Sequence, residues 1–219
     1  MKNLKFIALA LLMFGVIFLT NCQQRLNNIT NLYSGSGTQI IAFGDSITSG
    51  YGLEAIQAYP SLLSEILGYP VLNRGINGDT TSSGLARLKS DVLEKDPWLV
   101  IVGLGGNDYL RKVPIAETEA NLREIITQIQ QEGAIVVLLG MNVSIFTKGF
   151  KELYENISQN TGSYLIPDVL KGILDDPKYR QSDLIHPNAD GQKRLAKRIA
   201  ESLKPLLEKA TLSPQLLPE

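Results

Sequence analysis

The chain of 219 residues is 44% hydrophobic and 20% charged, a balance typical of a globular protein and not of a disordered one. Its formal net charge is −1 and its basic residues form no block, which argues against nucleic acid as a partner. With one Cys and one His, the chain excludes an intrachain disulfide and zinc sites built on several Cys or His ligands. Any imidazole chemistry must come from His186.

The first residues have the pattern of an export signal. Lys2 and Lys5 precede an uncharged apolar stretch, FIALALLMFGVIFL, which is shorter than the ~20 residues that a membrane-spanning helix needs. Cys22 follows, and a Cys at this place resembles that of bacterial lipoproteins, in which it is acylated and becomes the mature N-terminus. Asn21 departs from that pattern, because Gly, Ala or Ser usually precedes the Cys. The alternatives to a lipoprotein signal are an uncleaved N-terminal anchor and an ordinary signal peptide in which Cys22 is incidental.

These patterns predict the division of the chain. We expect residues 1–21 to be a lipoprotein-type signal peptide, and residues 22–38, rich in Asn, Gln, Ser and Gly, to be the acylated Cys and a flexible tether. One globular domain should span residues 39–210, followed by a loose tail over residues 211–219. The protein would then be exported to the bacterial cell envelope and held on a membrane by its lipid, with a periplasmic or secreted protein as the alternative.

Short apolar runs alternate with amphipathic stretches throughout the domain. The runs lack in/out alternation, which predicts buried parallel strands at residues 40–43, 71–73, 99–102, 135–139 and 164–166. Helical spacing of apolar residues predicts one helix after Pro114 and another at the end of the domain, with the stripes Ile115, Leu122, Ile125, Ile126, Ile129 and Leu195, Ile199, Leu203, Leu206. This alternation predicts an α/β protein whose helices cover both faces of the sheet and whose site lies at the carboxyl ends of the strands.

Ser46 follows the first predicted strand, within GDSIT. A serine hydroxyl becomes an effective nucleophile when a neighbouring base takes its proton. We expect a helix after Ser46, whose free N–H groups and positive dipole end would face a developing oxyanion. The alternative is that Ser46 is only a helix N-cap, a position that serine favours.

His186 lies in SDLIHPN, just before the last predicted helix. Asp183 precedes it by three residues, and in a loop this spacing lets the carboxylate turn back to Nδ1 while Nε2 remains free for a serine. A solvated acid in a loop that starts the last helix is the alternative.

Two further loops supply candidate oxyanion donors. Gly78 follows the second strand and can bring its backbone N–H close because it has no side chain. Asn107 follows the third strand and can offer its side-chain NH2. Each such donor contributes about 3–4 kcal/mol in acyl transfer. Both segments could also be simple turns, since Gly, Asn and Asp are turn residues.

Taken in order, the four blocks resemble those of the SGNH, or GDSL, hydrolase family, and most closely the bacterial thioesterase I, lysophospholipase L1 and arylesterase group. The matching segments are AFGDSITSGYG, INGDTTSSGLARL, LGGNDYLR and IHPNADGQ. The resemblance implies a flavodoxin-like three-layer α/β/α sandwich with about five parallel strands. It implies Ser46 as nucleophile, Asp183 and His186 as the rest of the triad, and an oxyanion hole of the Ser46 N–H, the Gly78 N–H and the Asn107 side chain.

The resemblance also implies the chemistry. The protein would cleave carboxylic esters or thioesters, such as aryl esters, acyl thioesters or lysophospholipids, through an acyl-serine intermediate and without a metal or other cofactor. The alternatives are an O-acetylesterase acting on carbohydrate or peptidoglycan, and a non-catalytic surface lipoprotein that only binds.

Some residues near these blocks have less specific expectations. Asp45, Asp79 and Asp108 should hold loops by hydrogen bonds. In the segment MNVSIFTKGF after the fourth strand, Val143, Ile145 and Phe146 would line an acyl groove or serve ordinary packing.

Overall fold

The computed structural model describes residues 26, 28–141 and 148–212. Five parallel strands form one sheet in the order β2-β1-β3-β4-β5. The strands are β1 (Gln39–Gly44), β2 (Val71–Gly75), β3 (Pro97–Gly103), β4 (Ile135–Leu139) and β5 (Tyr164–Ile166). All five predicted strands are confirmed, and β3 and β4 are buried at every residue, as their unbroken apolar runs predict.

The helices in the described part of the chain lie between and after the strands. They are α1 (Ser46–Ser49), α2 (Tyr59–Leu67), α3 (Thr81–Asp91), α4 (Gly106–Leu110), α5 (Ile115–Gln131), α6 (Lys148–Thr161) and α7 (Ala189–Leu207), with 3-10 turns at Ala55–Gln57 and Leu93–Lys95. The predicted stripes of α5 and α7 are buried, except that Ile115 is exposed because it is the first residue of α5. None of these helices combines the length and apolarity needed to cross a membrane.

The connections place the helices in two layers. The chain passes from β1 outward to β2, returns past β1 to β3, and continues to β5. Right-handed crossovers therefore put α2 on one face of the sheet and α3, α5 and α6 on the other. In agreement, α2 packs against α7, while α3 packs against α5 and α5 against α6. This is the predicted three-layer α/β/α fold, and its chain reversal opens a crevice at the carboxyl ends of β1 and β3.

Residues 28–38, which we call the strap, pack against the domain. Leu32 is 1% exposed, and the side-chain amide of Asn31 donates hydrogen bonds to the carbonyls of Gln130 (2.8 Å) and Ala134 (3.0 Å). The prediction of a flexible tether is therefore wrong for residues 28–38. Composition suggested a tether, but the buried Leu32, the Asn31 side chain and backbone hydrogen bonds from Thr30, Ser36 and Thr38 attach the segment.

The start of the predicted loose tail also belongs to the domain. The Thr211 N–H donates to the carbonyl of Leu32 (3.1 Å), and its own carbonyl accepts from the Trp98 indole N–H (3.1 Å). Leu212 packs against the core. The prediction is thus wrong at residues 211–212, while residues 213–219 and the predicted signal peptide with Cys22 lie outside the described residues.

The strap generates a stability prediction. Asn31 has a left-handed backbone, with φ of 64°, which Asn tolerates better than Ala, so Asn31→Ala both removes two hydrogen bonds and adds backbone strain. We expect it to lower the free energy of unfolding, measured by urea titration, by about 2–4 kcal/mol. Asn31→Gly is the matched control: it loses the same hydrogen bonds but tolerates the backbone, so its loss should be smaller. Parent-like stability of both variants would show that the strap does not stabilise the fold.

Candidate active site

Ser46 is the first residue of α1 and lies two residues beyond Gly44, the end of β1. Asp45 caps this helix, its side chain accepting the Ile47 N–H at 2.9 Å. The helix is a single turn that ends at Gly50, where φ is 79°. The expected helix is present, but its dipole is small because few peptide units are aligned. Helix α1 therefore contributes to oxyanion stabilisation mainly through the N–H group of Ser46.

Close packing fixes α1 in place. A Cβ added at Gly75, the last residue of β2, would lie 2.1 Å from the backbone nitrogen of Ser49, so only glycine permits this approach. On the other side, the buried Gln192 donates to the Ile47 carbonyl (3.0 Å) and accepts the Tyr59 N–H (2.9 Å). The backbone that carries Ser46 is therefore held by β2, α2 and α7 together.

The three residues of the predicted triad form one hydrogen-bonded series. His186 Nε2 lies 2.8 Å from Ser46 Oγ, and His186 Nδ1 lies 2.7 Å from Asp183 Oδ2. The other carboxylate oxygen of Asp183 accepts the N–H groups of Ile185 and His186, both at 3.1 Å. The loop thus turns back on itself, as the spacing of Asp183 and His186 predicts.

The environment of Asp183 keeps it ionised. Burial acts to raise its pKa, but the hydrogen bonds from the His186 ring and from the N–H groups of Ile185 and His186 hold the pKa below its usual value. The ionised carboxylate accepts a proton-bearing Nδ1. This leaves Nε2 as the acceptor for the Ser46 hydroxyl.

Tyr51 contacts the imidazole, which the sequence did not indicate. Its ring centroid lies 4.5 Å from that of His186, with an angle of 33° between the planes. Gln181 attaches the two segments, since its side chain donates to the Tyr51 carbonyl (2.7 Å) and its N–H donates to the His186 carbonyl (2.8 Å). Tyr51 lies within the block AFGDSITSGYG, but one sequence carries no signal for a ring contact between residues this far apart.

The predicted oxyanion donors line the same cleft as Ser46. Gly78 has φ of 80°, which favours glycine, and its carbonyl accepts a hydrogen bond from Arg111 at 2.7 Å. Asn107 donates from Nδ2 to the Asp79 carbonyl at 2.9 Å, and the same nitrogen lies 3.5 Å from Asp45 Oδ2. Arg111, the residue that follows α4, holds the Gly78 loop by this hydrogen bond and was not identified from the sequence.

Two of the three acids in these blocks hold loops. Asp79 pairs with Arg87 at 2.6 Å, and Arg87 also donates to the Gly44 carbonyl at 3.0 Å. Asp108 is fully buried and accepts the N–H (2.9 Å) and the hydroxyl (2.5 Å) of Thr81 at the start of α3. Both contacts connect the loops after β1, β2 and β3.

Asp45 is a different kind of carboxyl group. It is 2% exposed, and this burial raises its pKa to about 7 although the Ile47 N–H acts in the opposite direction; the nearby Asp79 and Asp108 add to the rise. Asp45 therefore caps α1 and contacts Asn107 without being a strong charge at neutral pH.

A mainly apolar cleft of about 720 Å³ opens beside Ser46. Its apolar walls come from α1, α4 and the segments after β4 and β5, namely Ile47, Leu110, Met141, Leu170 and Leu174, with Leu184 and Ile185 beside His186. The predicted groove residues Val143, Ile145 and Phe146 lie outside the described residues, directly after Met141. Leu170 and Leu174 were missed because they belong to no motif.

Comparison with known proteins agrees with this geometry. The family model described as "GDSL-like Lipase/Acylhydrolase family" matches residues 42–194. The esterase TesA of Pseudomonas aeruginosa is 35% identical over 178 residues, covering 77% of this chain and 89% of that protein. The thioesterase 1/protease 1/lysophospholipase L1 of Escherichia coli is 32% identical over 175 residues, with coverage of 77% and 84%.

The solved structures include a close match. The crystal structure of TesA superposes with a TM-score of 0.73 at 34% identity, covering 77% of this chain and 99% of that one. The matched family region includes the end of β1, the Ser46 turn, both oxyanion loops and the Asp183–His186 loop. The chain therefore belongs to the GDSL-like lipase/acylhydrolase family.

Proposed function

We propose that this protein is a serine acylhydrolase that cleaves carboxylic esters and thioesters through an acyl-Ser46 intermediate. The observation that carries the proposal is the hydrogen-bonded series from Asp183 through His186 to Ser46, which opens into an apolar cleft. Membership of a lipase/acylhydrolase family supports it.

Acylation begins with the Ser46 hydroxyl. Ser46 Oγ attacks the carbonyl carbon of the ester while His186 Nε2, 2.8 Å away, takes its proton. Asp183 stabilises the imidazolium that forms and keeps the ring in place, a role assisted by the Tyr51 ring.

The negative oxygen of the tetrahedral intermediate needs hydrogen-bond donors. The Ser46 and Gly78 N–H groups supply two. Asn107 supplies the third: one hydrogen of its Nδ2 is used by the Asp79 carbonyl, and the 3.5 Å separation from Asp45 is too long for a strong bond, so the second hydrogen is available to the oxyanion. Each such donor contributes about 3–4 kcal/mol to the transition state.

The intermediate then breaks down. The bond between the carbonyl carbon and the leaving oxygen or sulfur breaks, and His186 passes its proton to the leaving group, which forms the alcohol or thiol. A water molecule, deprotonated by the same His186, attacks the acyl-Ser46 carbonyl. This releases the carboxylic acid and restores the Ser46 hydroxyl.

The cleft supports a substrate with an apolar acyl chain. Its volume of about 720 Å³ and its aliphatic walls suit aryl esters, acyl thioesters or lysophospholipids. The names of the similar proteins, esterase and thioesterase/lysophospholipase, agree with this substrate class. An O-acetylesterase binds only a two-carbon acyl group and does not need apolar walls of this extent.

The cellular location is part of the proposal. We infer that residues 1–21 direct export and that Cys22 is acylated and holds the protein on a membrane of the cell envelope. The charge pattern, the apolar stretch and the position of Cys22 support this. Asn21 is the one departure from the lipoprotein pattern.

The nucleophile is tested by Ser46→Ala. Because this change removes the attacking oxygen, we expect kcat/KM for p-nitrophenyl butyrate to fall by at least about 1,000-fold, with an unchanged melting temperature. Ser182→Ala, a neighbouring exposed serine next to Asp183, is the matched control and should keep parent activity. Equal activity in the parent and Ser46→Ala would refute the mechanism, and a parent inactive on all esters would favour a binding protein.

The acyl specificity is tested by Leu174→Ser. Leu174 lines the cleft and is only partly buried, so the change shortens an apolar wall without opening the core. The ratio of kcat/KM for p-nitrophenyl octanoate to that for the acetate should fall by about 10-fold, which corresponds to about 1.4 kcal/mol of apolar contact. A parent enzyme that prefers acetate, and whose ratio is unchanged in the variant, would indicate an O-acetylesterase instead.

A further inference from the structure

The strap lies at the amino ends of the strands. Its N–H groups donate to carbonyls of residues that lie one or two positions before strands: Thr30 to Gly162, two residues before β5 (2.9 Å), Ser36 to Gly133, two residues before β4 (3.2 Å), and Thr38 to Asp96, one residue before β3 (2.9 Å). The chain therefore enters the domain at the edge of the sheet where the parallel strands begin.

The candidate site lies at the other end. Ser46, Gly78 and Asn107 follow the carboxyl ends of β1, β2 and β3. The length of helix α7 gives the distance between the site and the strap. The helix begins three residues after His186 and ends four residues before Thr211, which binds the strap. Its 19 residues span about 28 Å at the usual rise per residue.

The chain between the proposed anchor and the strap is short. Leu26, the first residue that the structure describes, is 5% exposed, and its carbonyl accepts the Ile29 N–H at 3.2 Å, so the chain is already attached to the domain at Leu26. Cys22 is four residues earlier. Four residues reach about 14 Å when fully extended, roughly half of the distance between the strap and the site.

We propose that the anchored protein turns the amino ends of its strands towards its own membrane and its cleft away from it, so that it hydrolyses water-dispersed esters and not the lipids of the membrane that holds it. This rests on the proposed acylation of Cys22 and on the proposed esterase site. A tether formed by all of residues 22–38 would have allowed the cleft to turn onto the membrane. The attachment of the strap removes that freedom.

The single cysteine makes a direct experiment feasible. The mature chain from Cys22 to Glu219 is coupled through Cys22 to phosphatidylcholine vesicles that contain a maleimide lipid, which replaces the biological acyl group. One set of vesicles carries a fluorogenic ester lipid in the bilayer, and p-nitrophenyl butyrate is the soluble substrate. The matched control has a 30-residue Gly-Ser insertion between Gln24 and Arg25, long enough for the domain to turn over.

The two proteins should differ only on the embedded substrate. We expect equal hydrolysis of p-nitrophenyl butyrate, and at least about 10-fold slower hydrolysis of the embedded ester by the short-tether protein. Equal rates on the embedded ester would overturn the proposed orientation. Loss of p-nitrophenyl butyrate hydrolysis in the uncoupled protein would instead refute the esterase function.

A second readout does not depend on activity. The chain has one tryptophan, Trp98, which lies near the strap and binds Thr211. Energy transfer to a dansyl lipid in the vesicle should be strong from Trp98 in the coupled parent. It should be weak in the Trp98→Phe, Leu184→Trp double variant, whose tryptophan stands at the cleft mouth. Strong transfer from the Leu184 position would overturn the orientation.

Discussion

The position of Ser46 depends on the close contact between α1 and the end of β2. Gly75 has no side chain, so the one-turn helix lies directly on the strand, and the buried Gln192 holds its other side to α2 and α7. This contact brings the first and second loops of the sheet together. The loop after β3 is attached to these two loops, because Asn107 donates to the Asp79 carbonyl and Asp108 accepts the Thr81 N–H. The site is therefore a consequence of how three strand ends are tied to one another.

Two carboxyl groups in the site show how environment separates roles. Asp183 is partly exposed, receives hydrogen bonds from the imidazole and two backbone N–H groups, and has a lowered pKa. Asp45 is buried near two other acids, and its pKa is raised to about 7. Only Asp183 is both ionised and aimed at His186, so only it can orient the base. Asp45 is adjacent to the nucleophile in sequence, yet its contacts are those of a helix cap.

The elements that could be predicted from the sequence are those with local signals. Apolar runs identified all five strands. In the central strands β1, β3 and β4 the runs are unbroken because a parallel strand covered on both faces has few polar positions, whereas the edge strands β2 and β5 are only partly buried and have shorter runs. The short blocks around Ser46 and His186 predicted a hydrogen-bonded series because Asp183 and His186 are close in sequence and each block follows or precedes a regular element. The strap, the Tyr51 contact and the cleft walls Leu170 and Leu174 could not be predicted. Each depends on a partner far away in the chain, and polar composition alone misidentified the strap as a tether.

Labelling with a fluorophosphonate ester tests the central claim, that the Ser46 hydroxyl bound to His186 is the nucleophile. The reagent transfers its phosphonyl group to an activated serine and releases fluoride, and peptide mass spectrometry locates the adduct. We expect one adduct per chain, on the peptide that contains Ser46, and none when His186 is replaced by Ala. An adduct on a different residue, or an unlabelled Ser46 in protein that hydrolyses esters, would contradict it.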